Sequence, residues 1–305
     1  MSGKVEGTLE GNANMKVLNV GSLNVDYVYE VDHLIRPEET MAVRSRSVFA
    51  GGKGLNQSVA LKNAGADVYH AGIIGSDGGT LLQTLEEYGI NSRFVERAGV
   101  PGGHAVIQVD KNGGKCILYF CGTNRMLNEG FIANALSFFD EEDWVVLQNE
   151  TNGIALIIEA AHSRGMRVVF NPTPCDKSII SLPLRLVDYL VINRVEGEAI
   201  SGTPNESKMI ETIAEKYPGM KIALTLGGDG SCYFDGERTY YQPALSKNIK
   251  DTTAAGDAYL GYFVHGVMQN HPPEEILLRA TKAAAITVSR LGAAQSIPFA
   301  WEVDK

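Results

Sequence analysis

From residue 129 onward the hydrophobic positions alternate between two patterns. Short continuous runs, WVVLQNE (144–150), MRVVFNP (166–172), LVDYLVIN (186–193) and KIALTLGGDG (221–230), read as strands buried on both faces. Between them, FIANALSFF (131–139), GIALIIEAAHSRG (153–165), VEGEAISG (195–202) and ESKMIETIAEKYPG (206–219) carry the spacing of amphipathic helices. A final helical pair spans Ala255 to Gln269 and EEILLRATKAAAITVSR (274–290). Strands and helices in this alternation predict an α/β core, a mostly parallel sheet covered on both faces. The earlier part of the chain reads differently. KVLNVGSLNVD (16–26) begins as a buried strand and runs into a polar loop. YVYEVDHLI (27–35), MAVRSRSVFA (41–50), HAVIQVD (104–110) and KCILYF (115–120) look like further strands with hairpin-like spacing. They predict a small mixed sheet from segments near 24–50 and 100–122, attached to one core domain over residues 15–305.

Composition narrows the function classes. The 305 residues carry a formal net charge of −9 and no clustered Lys/Arg block, which argues against a nucleic-acid partner. No apolar run reaches membrane-spanning length. The opening MSGKVEGTLEGNANMK has no apolar signal region; residues 1–14 read as a disordered tail or cloning remnant, with Met15 a plausible native start. Cys116, Cys121, Cys175 and Cys232 form no CxxC, so a zinc site is not expected and reduced thiols in a cytoplasmic protein are.

In open sheets of this kind ligands gather at the carboxyl ends of the strands. Asn24 and Asp26 follow the first strand, where an Asx turn explains such a pair as readily as binding does. AGGKGLNQSVA (50–60) is not a Walker A loop, and Gln57 stands where the third glycine of GxGxxG belongs. Its glycines either open backbone amides to a ligand or serve only as a turn before a helix. Glu150, Asn171, Asn193 with Glu196, and the glycines of 227–230 each close a core strand. Any one of them is explained by a cap or turn; four strands with polar or glycine-rich endings on one side favour a cleft. In DTTAAGD (251–257), Asp257 falls in the first turn of a helix, against the positive end of its dipole, where helix capping alone would explain it.

Together these segments resemble the ribokinase, or PfkB, family of sugar kinases. AGGKGLNQSVA is similar to its first signature, DTTAAGDAYLGYF (251–263) to its second, and NRVE (193–196) to its N-x-x-E element. GSLNVD, GTN, LQNE, NPTP and TLGGDG follow in the family's order, and the similarity runs from about Met15 to about Trp301. The resemblance implies a three-layer α/β/α core with a small β-sheet lid, and an ATP-dependent phosphorylation of a sugar hydroxyl. It makes Asp257 the general base and the amides of Ala254, Ala255, Gly256 and Asp257 an anion hole for the transferring phosphoryl group. The small residues of the loop then let backbone touch phosphate. Asn24, Asp26, Gly52, Lys53, Asn56 and Glu150 match sugar-holding positions, which suits amides and carboxylates facing a polyol. Asn193, Thr225, Gly227, Gly230 and Gly256 match the ATP groove, and Glu196 a residue that organises Mg²⁺ through water. Asp251 matches an aspartate that helps bind a monovalent cation, usually K⁺, with carbonyls of Thr253, Thr287, Arg290 and Gly292 and the Ser296 hydroxyl. Relatives pair through their lid strands, which implies a homodimer; such edges left open would be an association hazard.

The sequence also departs from the family. P-N-E-x-E is usual where this chain has Ile192, Asn193, Arg194, Val195 and Glu196; Thr80 takes a position that is usually glycine. His104 and Gln108 lie on a lid strand where apolar residues are usual, and His104 is expected to face away from the sugar. D-Ribose, phosphorylated on its 5-hydroxyl, is the expected substrate, ahead of 2-deoxyribose, a ketohexose or pseudouridine. A non-catalytic sugar-binding regulator on the same fold is the alternative of another class.

Overall fold

A computed structural model describes residues 15–245 and 248–305. The tail expected over 1–14 lies outside the described residues. In chain order the strands are β1 (Lys16–Val20), β2 (Asn24–Val31), β3 (Ser45–Gly51), β4 (Asp67–Ile74), β5 (Asn91–Arg97), β6 (Gly103–Asp110) and β7 (Lys115–Phe120). They continue with β8 (Trp144–Gln148), β9 (Arg167–Asn171), β10 (Tyr189–Asn193), β11 (Lys221–Thr225), β12 (Ser231–Phe234) and β13 (Thr239–Gln242). The helices are α1 (Lys53–Ala64), α2 (Gly79–Glu87), α3 (Glu129–Leu136), α4 (Ile154–Ser163), α5 (Arg194–Ser201), α6 (Glu206–Lys216), α7 (Ala255–Met268), α8 (Pro273–Val288) and α9 (Ala300–Val303).

The main sheet has nine strands in the order β13-β12-β11-β10-β9-β8-β1-β4-β5, parallel from β11 to β5, with the β12–β13 hairpin antiparallel at one edge. Successive side chains on a strand go to opposite faces. Thus Trp144 and Val146 of β8 join the core under α1, α7 and α8, while Val145 and Leu147 join the core under α3 to α6. Both faces are dry, which is why these strands are written as unbroken apolar runs. The result is the three-layer α/β/α core. Among the described residues no helix is long and apolar enough to cross a membrane.

The second sheet, in the order β3-β2-β6-β7, pairs β2 with β6 in parallel and its outer strands antiparallel. It is the small lid. Only residues 21–23 separate β1 from β2, so the lid springs directly from the carboxyl end of the central sheet. This corrects one expectation: Asn24 and Asp26 are not in a loop or Asx turn but are the first residues of a lid strand, paired with Gly51 and Phe49. Residues 41–44, expected as strand, precede β3 without joining it. β4, α2, β5 and the β12–β13 hairpin were not individually expected. The hairpin does carry its own signal, Asp235-Gly236 between two aromatic-rich runs.

Candidate active site

The start of α7 is built around a backbone outlier. Ala254, its N-cap, has φ of 60°, a left-handed conformation that costs a residue with a Cβ on the order of 1–2 kcal/mol. Such a reversal before a helix gathers N–H groups into an anion-binding concavity. The amides of Ala254, Gly256 and Asp257 have no acceptor among the described residues. That of Ala255 is turned back to the Thr252 carbonyl over a long 3.3 Å.

One turn into this concavity, Asp257 is 6 % exposed. Its Oδ2 accepts from Asn56 Nδ2 at 3.1 Å and its Oδ1 from Gln57 Nε2 at 3.0 Å. Both donors sit in the first turn of α1, which enters from Gly52 at φ of 97°. Behind them Gln57 is itself fixed: its Nε2 also reaches Asn171 Oδ1 at 3.1 Å, and its Oε1 accepts from Gln148 Nε2 at 2.7 Å. One of the two amides that aim the carboxylate, Gln57, is therefore held in place by the ends of β8 and β9.

Beside Asp257 opens a cavity of about 560 Å³ lined by Asn24, Asp26, Gly52, Lys53, Asn56 and Glu150. Every residue expected to hold the sugar is here. Asn24 Oδ1 accepts from Asn124 Nδ2 at 2.7 Å, so its amide group points a donor to the cavity side of that pair. Glu150 accepts from the Lys53 amide at 3.1 Å and from the Ser22 hydroxyl. Burial raises the Glu150 carboxyl, a shift opposed by the Lys53 ammonium. Burial, and then the charge of Glu150, pushes Asp26 up to about 7. Burial alone would lower Lys53, but Asp257, Glu150 and Glu196 around it hold its ammonium above the ordinary lysine value. Gly51 makes room for this pocket: a Cβ there would lie 2.1 Å from Asp26 Oδ2.

A second cavity, about 250 Å³, is lined by Gly227, Gly228, Gly230, Leu245, Ile249, Ala284 and Val288. The two share Thr225, Thr252 and Gly256, so they form one continuous cleft with the start of α7 at the junction. Of the residues expected on the nucleotide side, Thr225, Gly227, Gly230 and Gly256 line this groove, whereas Asn193 and Glu196 lie on the wall of the larger cavity. Asn193 and Glu196 form a capping box at the start of α5. Glu196 accepts from Asn193 N and Nδ2, both at 2.9 Å, and from the Thr173 hydroxyl. A carboxylate has about four lone-pair sites, so one remains for a metal-bound water. Arg194, the departure from the family pattern, ties α5 to Glu206 of α6, to Asp229 and to the Leu226 carbonyl, bracing the glycine turn of the groove.

The residues matched to a cation site are gathered where the 251–253 loop meets the end of α8. Asp251 Oδ2 accepts from Gly292 N at 3.3 Å, and its Oδ1 from Thr253 N at 3.0 Å, from the Thr253 hydroxyl at 2.7 Å and from Lys115 Nζ at 2.8 Å. Burial opposes ionisation of Asp251, but Lys115 and the loop donors outweigh it and bring its carboxyl down to about 2. The other members are partly committed: the Thr287 carbonyl accepts from Arg290 N at 3.1 Å, and Ser296 Oγ donates to Ala293 O at 2.7 Å.

Sequence reasoning gave no role to Gln57, Ser22, Asn124, Tyr119 or Lys115. The lid pair had no sequence signal: KCILYF is apolar from Cys116 to Phe120 and exposed throughout, and only the fold shows that Lys115, Ile117 and Tyr119 face the cavity. His104 packs against Tyr27 and Phe120 on the opposite face, and Gln108 accepts from Ile35 N at 3.0 Å; neither lines the cleft. Thr80 is exposed in the first turn of α2.

A buried carboxylate at a helix start, open amides around it, a polar pocket on one side and a glycine-walled groove on the other define a phosphotransferase with an alcohol acceptor. Residues 14–300 match the pfkB family carbohydrate kinase model, and the chain belongs to that family. It is 32 % identical over 301 residues to a ribokinase of Staphylococcus aureus (strain COL), covering 95 % of this chain and 99 % of that one. A deoxyribokinase of Salmonella typhi is 28 % identical over 295 residues, covering 93 % and 96 %. The crystal structure of a ribokinase from Cryptococcus neoformans var. grubii serotype A in complex with ADP superposes with a TM-score of 0.81 at 29 % identity, covering 95 % and 99 %.

Proposed function

We propose that this sugar kinase transfers the γ-phosphoryl group of ATP to the 5-hydroxyl of D-ribose. The observation that carries the reading is the position of Asp257, buried, held by Asn56 and Gln57, at the junction of the two cavities. The hydroxyl oxygen attacks phosphorus as its proton passes to Asp257 and the bond to the leaving ADP oxygen breaks. The free amides of Ala254, Gly256 and Asp257 face the charge that develops on the phosphoryl oxygens. Asn24, Asp26, Lys53 and Glu150 orient the sugar, and the groove of Thr225, Gly227 and Gly230 takes the nucleotide. Glu196 would hold Mg²⁺ through water, and the ion when bound would neutralise phosphate charge. Asp251 on its Oδ2 side, with the neighbouring carbonyls, would hold a monovalent cation, K⁺, while Oδ1 stays with Lys115, and that charge when bound would stiffen the anion-binding loop. Two copies pair through the outer lid face, where Leu118 is 66 % and Phe120 51 % exposed.

The similarity to deoxyribokinases favours 2-deoxyribose as the second reading. ADP release measured at matched concentrations of ribose, 2-deoxyribose, fructose and pseudouridine decides between them; no advantage for ribose overturns the first. Asp257→Asn is expected to lower kcat by about 10²-fold or more with sugar affinity largely kept. Turnover at the parental rate would exclude this base.

A further inference from the structure

Lys115 is the first residue of β7, and with Ile117 and Tyr119 it forms the strand's cavity-facing row. β7 is an edge strand whose one sheet neighbour is β6. Its cavity face is poorly covered, with Ile117 56 % and Tyr119 40 % exposed, so apolar burial gives little force to hold this edge over the cleft. Lys115 supplies a different tie. Its ammonium leaves the lid and donates to Asp251 Oδ1 at 2.8 Å and to Thr253 Oγ1 at 3.2 Å, 136 and 138 residues further along the chain. The anchor is already rigid: Asp251 is held by the Thr253 amide and hydroxyl and by Gly292 N. Only the lysine has to be ordered when the pair forms, which favours this pair over one between two free side chains. Three residues beyond Asp251 the chain takes the left-handed turn at Ala254 that exposes the anion-binding amides.

We propose that Lys115 is a positioning residue that latches the lid onto the phosphate-receiving loop, so that covering the sugar and holding that loop are one event. Among the described residues no other hydrogen bond joins the lid strands to residues 251–254. The proposal rests on the kinase reading of the site, and its test separates the two. Lys115→Met keeps the stem and removes the charge. Its apparent KM for the sugar is expected to rise roughly threefold to fivefold at low ionic strength, the upper range for an exposed ion pair. Lys115→Arg should restore the wild-type value to within about twofold, since a point charge at similar reach is what the anchor needs. Added tetramethylammonium chloride at constant K⁺ should raise the wild-type KM toward that of Lys115→Met and leave the variant's unmoved, because screening of this pair acts only where the pair exists. A Lys115→Met enzyme with wild-type KM and wild-type salt response, or a Lys115→Arg enzyme as impaired as the methionine variant, overturns the latch. If the wild type forms no ADP with any sugar, the kinase reading fails, and hydrogen exchange still decides the latch. Amides of β6 and β7 should then exchange faster in substrate-free Lys115→Met, or in the unaltered protein at high salt should the variant not fold; equal rates overturn it.

Discussion

Asp26, Glu150, Glu196 and Asp257 bring four carboxyl groups to the proposed sugar pocket and Lys53 and Lys115 two ammonium groups, and Asp26 is the carboxyl that burial pushes up to about 7. Its carboxyl moves from 3.8 to about 7 because burial and the Glu150 charge both oppose ionisation. Between those values the folded protein holds a proton that the unfolded chain has released, so this group's contribution to stability falls as pH rises. That contribution is fully present below pH 3.8 and spent at about pH 7. The melting temperature of the wild type minus that of Asp26→Asn is therefore expected to fall across that window and level off above it. A gap independent of pH would mean that Asp26 is ionised in the fold. Legibility at this scale followed sequence distance. Asn24, Lys53, Asn56, Glu150 and Asp257 sit in short motifs and are named from the chain alone, whereas Gln57 earns its place by a bond to a residue 200 positions away. No local pattern encodes that contact.

Helices α1 and α7 deliver Asp257, the proposed base, and its two amide donors, so their separation sets the site. Gly261, one turn after Asp257, lies against α1, and a Cβ there would come within 2.4 Å of Ala60 Cβ. Gly261→Val is expected to push the helices apart, destabilise the protein by about 1–3 kcal/mol in urea unfolding, and lower kcat by pulling Asp257 from Asn56 and Gln57. An unchanged kcat in the folded fraction would show that the carboxylate does not depend on this packing. Elements were legible where burial was uniform. β8 to β11 each carry an unbroken apolar, buried run of three or four residues and were found; β5 is an edge strand with only Phe94 buried, so it shows no apolar period. β4 hides for another reason: His70, fully buried and bonded to Ser58 Oγ at 2.8 Å, interrupts its apolar run.

At the scale of the whole molecule, the parallel core and the separate lid were both legible, because each has its own hydrophobic period. How the lid meets the loop at Asp251 was not, since that contact is polar and long-range. The proposed pairing of two lids is tested by Leu118→Glu, which puts charge on an exposed edge strand and is expected to shift the sedimentation coefficient to that of a monomer. An unshifted coefficient, or a wild type that already sediments as a monomer, removes the pairing. The strand order has a last consequence, for synthesis on the ribosome. Among the described residues every strand of both sheets is complete by Gln242, yet Asp257 arrives with α7, and α7 and α8 supply much of one core face. A nascent chain stopped at Gln242 has the residues of these strands but lacks Asp257 and the apolar side chains of α7 and α8 that cover one flank of the sheet. A polypeptide released there would leave that flank bare to water, and should be cleared as waste rather than survive as an inert competitor for sugar.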